Sequence, residues 1–116
     1  MEALMESREA IRSFAALAQD TRLAVIRTLV VAGDNGLAAG QIGEALGVSA
    51  PTLSFHLKEL ENAGLVRSRR ESRQIFYTAD FARMRNLIGF LLRDCCRGEA
   101  DCAMPEALPK TACGAA

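Results

Sequence analysis

The sequence has a single histidine, a net charge of zero and no apolar run approaching the ~20 residues that a membrane helix needs. One histidine cannot build a histidine-based metal site. A zero net charge argues against a generally basic nucleic-acid binder. Without a membrane-length run, a spanning role is not expected. The opening stretch MEALMESREAIRSF carries acids and no long apolar block, so it does not read as a signal peptide, and the cytoplasm is the expected compartment. No internal repeat is visible. There is also no Cys-x5-Arg loop and no glycine-rich anion nest beside the cysteines, so a small thiol enzyme such as an arsenate reductase is not supported, and no enzymatic role is expected.

What is present is more specific. At 116 residues, half of them hydrophobic, the chain reads as one domain with enough apolar surface for a core. A domain of this size buries only about two thirds of its unfolded surface, so dimerisation would help it. The charge is unevenly spread. Residues 67–73 hold four arginines and one acid, whereas residues 94–106 hold four acids and one arginine, which suggests two faces with different partners. Of four cysteines, three fall in RDCCRGEADC. In a reducing compartment such clustering means metal or redox chemistry more often than disulfides.

Apolar spacing predicts helices over residues 8–18 (Ile11, Phe14, Ala15, Leu17) and from Asp20, a possible N-cap, along Leu23, Ile26, Leu29 and Val30. Gly33-Asp34-Asn35-Gly36 breaks the pattern. A short helix over 39–46 precedes Gly47, suited to a left-handed C-terminal position. Ser49 is a good N-cap for the next helix, with Pro51 in its first turn and Leu53, Leu57 and Leu60 as its buried stripe to about Ala63. The period then changes to that of two strands, 65–70 and 74–78, joined at Glu71-Ser72. Asp80 caps a last helix with Phe81, Met84, Leu87, Ile88, Leu91 and Leu92 in a stripe, ending near Asp94. The expected fold is mainly α with a small β-hairpin: a winged helix-turn-helix of order α-α-α-α-β-β-α. Residues 1–94 form the DNA-binding and dimerisation domain, and 95–116 form a cysteine-containing tail.

On a helical wheel with the leucines inward, Phe55 and Lys58 point outward, and Thr52, Ser54 and His56 lie on the flanks. Short hydroxyls such as Ser49, Thr52 and Ser54 near a helix start can reach phosphates and base edges. Phe55 could meet a thymine methyl, or pack under the wing or against a neighbouring subunit. His56 could contact a phosphate or base, or make a hydrogen bond that fixes the turn. In the wing, Arg67, Arg69, Arg70 and Arg73 suit phosphate or minor-groove contact, Arg73 at the tip above all.

The segments LAQDTRLAVIRTLV and GQIGEALGVSAPTLSFHLKELENAGLVRSRRESRQIFYTAD, with S-x-H-L-x-x-L-x-x-A-G-L-V over 54–66, resemble the ArsR/SmtB family of metal-responsive repressors. The likeness covers residues 10–96. It implies a homodimer that holds double-stranded operator DNA and releases it when an inducer binds, with the first and last helices forming the dimer interface. Ile11, Phe14, Met84, Leu87, Ile88 and Leu91 are the residues this assigns.

Three departures matter. Arsenic sensors of the family often carry Cys-x-Cys near the first helix of the motif, but LAAGQIG at 37–43 has no cysteine. Zinc sensors use histidines on the last helix, which has none here. The family's Glu-Gly-Arg wing tip is Glu71-Ser72-Arg73, and a serine at positive φ would cost on the order of 1 kcal/mol, so a different turn type is open.

The resemblance therefore moves the sensing site to Cys95, Cys96 and Cys102, as in arsenic-responsive members that end the last helix with Cys-Cys and add a third cysteine beyond it. The chemistry agrees. Trivalent arsenic is thiophilic and keeps a lone pair, so three thiolates form a pyramid around it. Gly98 and the short segment 97–101 let Cys102 fold back. As(III), with Sb(III) or methylated As(III), is the expected inducer, and no organic cofactor is expected. Zinc or cadmium sensing, with Cys113 as a fourth ligand, and a thiol redox switch are the alternatives.

Overall fold

The structure, a computed structural model, describes residues 5–93. It comprises α1 (Ser7–Leu17), α2 (Asp20–Ala32), a 3-10 turn (Gly33–Asn35), β1 (Leu37–Ala38), α3 (Ala39–Leu46), α4 (Ala50–Asn62), β2 (Val66–Glu71), β3 (Gln74–Ala79) and α5 (Phe81–Leu92). The expected order of helices and hairpin is present, with one addition. β1 pairs antiparallel with β3 (Leu37 opposite Tyr77, Ala38 opposite Phe76), so the sheet has three strands in the order β1-β3-β2.

Local chemistry places most boundaries. Asp80 Oδ1 accepts from the Arg83 backbone N–H at 3.0 Å, starting α5 as expected. Gly47 takes the left-handed conformation, φ 67° and ψ 37°, that ends α3. The N-cap of α2 is Gln19, not Asp20: the Gln19 side chain accepts from Arg22 N–H at 2.8 Å. Asp20 sits in the first turn, where its charge complements the helix dipole. Ser49 is the N-cap residue of α4 by backbone geometry, but its side chain does not cap; its hydroxyl donates to Thr52 Oγ1 at 3.1 Å. At the wing tip Ser72 does take positive φ, 57°, as the first residue of a two-residue loop between Glu71 and Gln74. The tight turn is kept despite the missing glycine, at a cost of about 1 kcal/mol.

The main core is built by Val25, Ile26 and Leu29 of α2, Ile42 of α3, and Leu53, Leu57 and Leu60 of α4, closed by Leu65, Val66 and Ala79. A second cluster joins α1 to α5 through Met5, Ala10 and Leu87. The buried face of α1 is its small-residue face, Ala10, Ser13 and Ala16; Leu17 packs at the edge of both clusters, while Ile11 and Phe14 point away from the core. Leu23, expected in the stripe of α2, is exposed as well.

Candidate nucleic-acid interface

α3, the turn at residues 47–49 and α4 form the helix-turn-helix. The three leucines of α4 face inward, and Pro51, Thr52, Ser54, Phe55, Lys58 and Glu59 face solvent. Phe55 is 57% exposed. It does not pack under the wing; within the protomer its ring meets only the edge of the His56 ring, 5.3 Å away, among aromatic neighbours. An apolar ring held outward beside hydroxyls and a lysine suits a thymine methyl and neighbouring phosphates. Ser54 lines a cleft between α3, the start of α4 and β3, shared with Gln41, Gln74 and Tyr77. The Tyr77 phenol titrates above its ordinary range because burial disfavours the phenolate, with the Glu61 carboxylate adding to the effect. It is therefore neutral near neutral pH.

His56 differs from a free contact residue. It is only 8% exposed, and its Nδ1 lies 3.3 Å from Nη1 of Arg22. The ring is buried under the helix against a partner in α2, which agrees with the hydrogen-bonding role of the two expected for it.

In the wing the arginines separate by strand alternation. Ser68 donates to Glu61 of α4 at 2.8 Å, so its face, shared by Arg70, lies toward α4. Arg67 and Arg69 lie on the opposite face. Arg69 is already engaged: Nε pairs with Glu71 at 2.9 Å, Nη2 donates to the Asn35 carbonyl at 2.9 Å, and the guanidinium lies 5.2 Å from the Phe76 ring centre. These contacts tie the wing to the 3-10 turn, while the side chain stays 42% exposed. Arg67, Arg70 and Arg73 are exposed, with Arg73 on the tip.

An apolar surface lies on α1 and α5. Ile11 is 66% and Leu91 61% exposed, with Phe14 and Ile88 also open. Leu87 is buried inside the protomer against Met5 and Ala10, and Met84 packs on the main core. Those two residues thus also pack within the protomer, and the other four are open to a partner.

Cys95, Cys96 and Cys102 lie outside the described residues. Among the described residues no three His, Cys, Asp or Glu side chains converge to hold a metal ion, and no helix is long and apolar enough to cross a membrane.

Residues 17–69 match the model of a family described as a helix-turn-helix domain. The chain is 42% identical over 72 residues to YceK of Bacillus subtilis, described as an uncharacterized HTH-type transcriptional regulator, spanning 60% of this chain and 71% of that one. An ArsR-like transcriptional regulator from Rhodococcus sp. RHA1 superposes with a TM-score of 0.67 at 31% identity, covering 74% of this chain and 78% of the other. The chain belongs to the ArsR family of transcriptional regulators.

Other relatives carry different names. The transcriptional activator HlyU of Vibrio cholerae is 33% identical over 91 residues, 78% of this chain and 82% of that one. The arsenic resistance transcriptional regulator ArsR1 of Pseudomonas putida is 36% identical over 64 residues, 55% of this chain and 48% of that one. A homodimeric winged helix-turn-helix DNA-binding domain, Mb0332 of Mycobacterium bovis, superposes with a TM-score of 0.59 at 27% identity, covering 80% and 92%.

For an ArsR-family regulator with this wing, Arg73→Ala is expected to weaken binding to specific and scrambled duplexes alike. It should also lower the slope of log affinity against log salt by about one, the signature of one lost phosphate contact. Fluorescence anisotropy across a salt series measures it; an unchanged slope would take Arg73 off the DNA.

Proposed function

We propose that the chain is an operator-binding homodimeric repressor that leaves DNA when trivalent arsenic is taken up by Cys95, Cys96 and Cys102. The observation that carries this reading is the placement of three cysteines within eight residues directly after α5, which ends at Leu92. α5 also bears Ile88 and Leu91 on its exposed apolar side, so a ligand gathered just past its end acts on the helix that meets the partner. Soft thiolates favour a soft metalloid, and the likeness to a regulator named for arsenic resistance supports the same choice.

The dimer reading is supported by the four outward apolar side chains and by the homodimeric Mb0332 domain. Each protomer presents one α4, and two of them reach successive major grooves about one helical turn apart, ~34–36 Å. A strained or re-aimed α5 changes that spacing. Leu91→Glu places a charge in the apolar face; it is expected to give a folded monomer by light scattering and to lower operator affinity by at least roughly 100-fold, since one half-site alone carries little affinity. A dimer that survives this substitution would move the interface elsewhere.

A gel shift on the DNA upstream of its own coding sequence, under reducing conditions, tests the whole reading. Arsenite is expected to release the DNA and peroxide, kept in balance by excess thiol, is not. Release by peroxide alone in the absence of thiol, with none by arsenite, would make the cysteines a redox switch.

A further inference from the structure

His56 occupies a position that a leucine would fill at less cost. It is buried on α4 beside Leu53, Leu57 and Leu60, and an imidazole there must find a hydrogen bond to offset its desolvation. It finds Arg22, at the start of α2. A guanidinium has donors only, so Nδ1 of His56 is the acceptor and the ring proton sits on Nε2.

Arg22 is fixed from two other directions. Its Nε donates to the Ala16 carbonyl at 2.8 Å, one of the carbonyls that α1 leaves unpaired at its C-terminal end. Its backbone N–H donates to Gln19 Oε1 at 2.8 Å. One arginine thus ties the end of α1, the start of α2 and the middle of α4. Leucine packing against the core is non-directional and sets how deep α4 sits. A hydrogen bond has direction and sets how α4 is rolled about its axis. The roll matters because Phe55, next in sequence to His56 and touching its ring edge, points outward on the surface that meets DNA.

We propose that Arg22 and His56 form a positioning pair: neither touches DNA, and together they lock the roll of the recognition helix to the end of α1, the helix that also carries Ile11 and Phe14 on the dimer face. Sequence-specific affinity depends on the pair, whereas phosphate-driven affinity does not. The inference rests on the DNA-binding reading of the fold.

The test uses the full chain, a fluorescent duplex selected by the wild-type protein from random DNA, and a scrambled duplex of equal length. His56→Leu and Arg22→Met are each expected to lower affinity for the selected duplex roughly 10- to 100-fold, the loss of one hydrogen bond to a charged donor. Affinity of the His56→Leu protein for the scrambled duplex should stay within about two-fold, and its salt slope should not change. His56→Asn, whose Oδ1 stands near the lost Nδ1, should recover most of the affinity. The double variant should be no weaker than the weaker single variant, because one interaction is lost once.

A salt slope lower by about one in His56→Leu would make His56 a phosphate contact and overturn the proposal. Equal losses on both duplexes, or additive losses in the double variant, would overturn it too. Should His56→Leu fail to fold by circular dichroism, Arg22→Met, at a partly buried site outside the apolar core, and His56→Asn carry the same comparison. A wild-type chain that selects no duplex would sink the DNA-binding reading instead.

Discussion

With Cys102 replaced by serine, inorganic arsenite is expected to leave the operator complex largely intact at concentrations that strip the wild-type protein from it. The reason lies in the bonds exchanged. Arsenous acid reacting with three thiols trades three As–O bonds for three As–S bonds and releases three waters, with no change of oxidation state. A serine hydroxyl is a hard donor and is not deprotonated near neutral pH, so the variant offers two sulfurs and leaves an As–O bond in place. For release to be useful, arsenite must weaken operator binding by about 1–3 kcal/mol, a factor of roughly 5 to 150, and by reciprocity operator DNA must weaken arsenite binding by the same factor. Anisotropy titrations of wild type, Cys102→Ser and Cys113→Ser read the first quantity. Only the Cys102 variant should lose most of the response, and Cys113→Ser should behave as wild type. Methylated arsenite, with one position already filled by carbon, needs only two thiolates, so its binding should not require Cys102. X-ray absorption should find three sulfurs around arsenic in wild type and two in the variant. Oxygen or nitrogen neighbours in the wild-type protein, or undiminished release in Cys102→Ser, would remove the three-thiolate site.

The parts of this molecule that were legible in the sequence are those fixed by strong local chemistry. Gly47 ends α3 and Asp80 starts α5 because one residue type satisfies the backbone there better than its neighbours. β1 was not legible. Two residues, Leu37 and Ala38, carry no alternation, and they are a strand only because β3 offers them an edge. The stripes of α1 and α5 were visible, but periodicity gives a face and not its partner. On α1 the small residues Ala10, Ser13 and Ala16 turned out to face the protomer's interior, while Ile11 and Phe14 face out; on α5 the stripe divides, Leu87 inward and Leu91 outward. The burial of His56 was not legible for a related reason. A wheel placed it on the flank of α4, and only the long side chain of Arg22, 34 residues earlier in sequence, explains why the ring turns under the helix.

Gly36→Ala should be among the most damaging single substitutions in the described residues, and Gly33→Ala, three positions earlier, should be mild by comparison. Both glycines have backbone angles open essentially to glycine alone, φ 73° and ψ −154° at Gly33, φ 72° and ψ −172° at Gly36. An alanine pays roughly 1–3 kcal/mol at either place for the backbone. The surroundings then separate them. A β-carbon at Gly33 meets nothing within 4 Å. One at Gly36 would collide with the Tyr77 carbonyl oxygen and stand 2.6 Å from Thr78 Cγ2, inside the contact distance of atoms that belong to β3. The oxygen is backbone and belongs to β3, so relief requires β1 and β3 to part where Leu37 lies opposite Tyr77. Overpacking of this kind adds about 1–3 kcal/mol, which brings Gly36→Ala to about 2–6 kcal/mol. At about 4 °C per kcal/mol for a domain near this size, thermal melting at fixed protomer concentration should fall by about 8–24 °C for Gly36→Ala and by about 4–12 °C for Gly33→Ala. Equal shifts would mean that the backbone angles alone set the cost and that β1 is not held against β3 as described. A Gly36→Ala protein that melts like wild type would contradict the close approach itself, and with it the anchoring of the wing to the helix-turn-helix through the third strand.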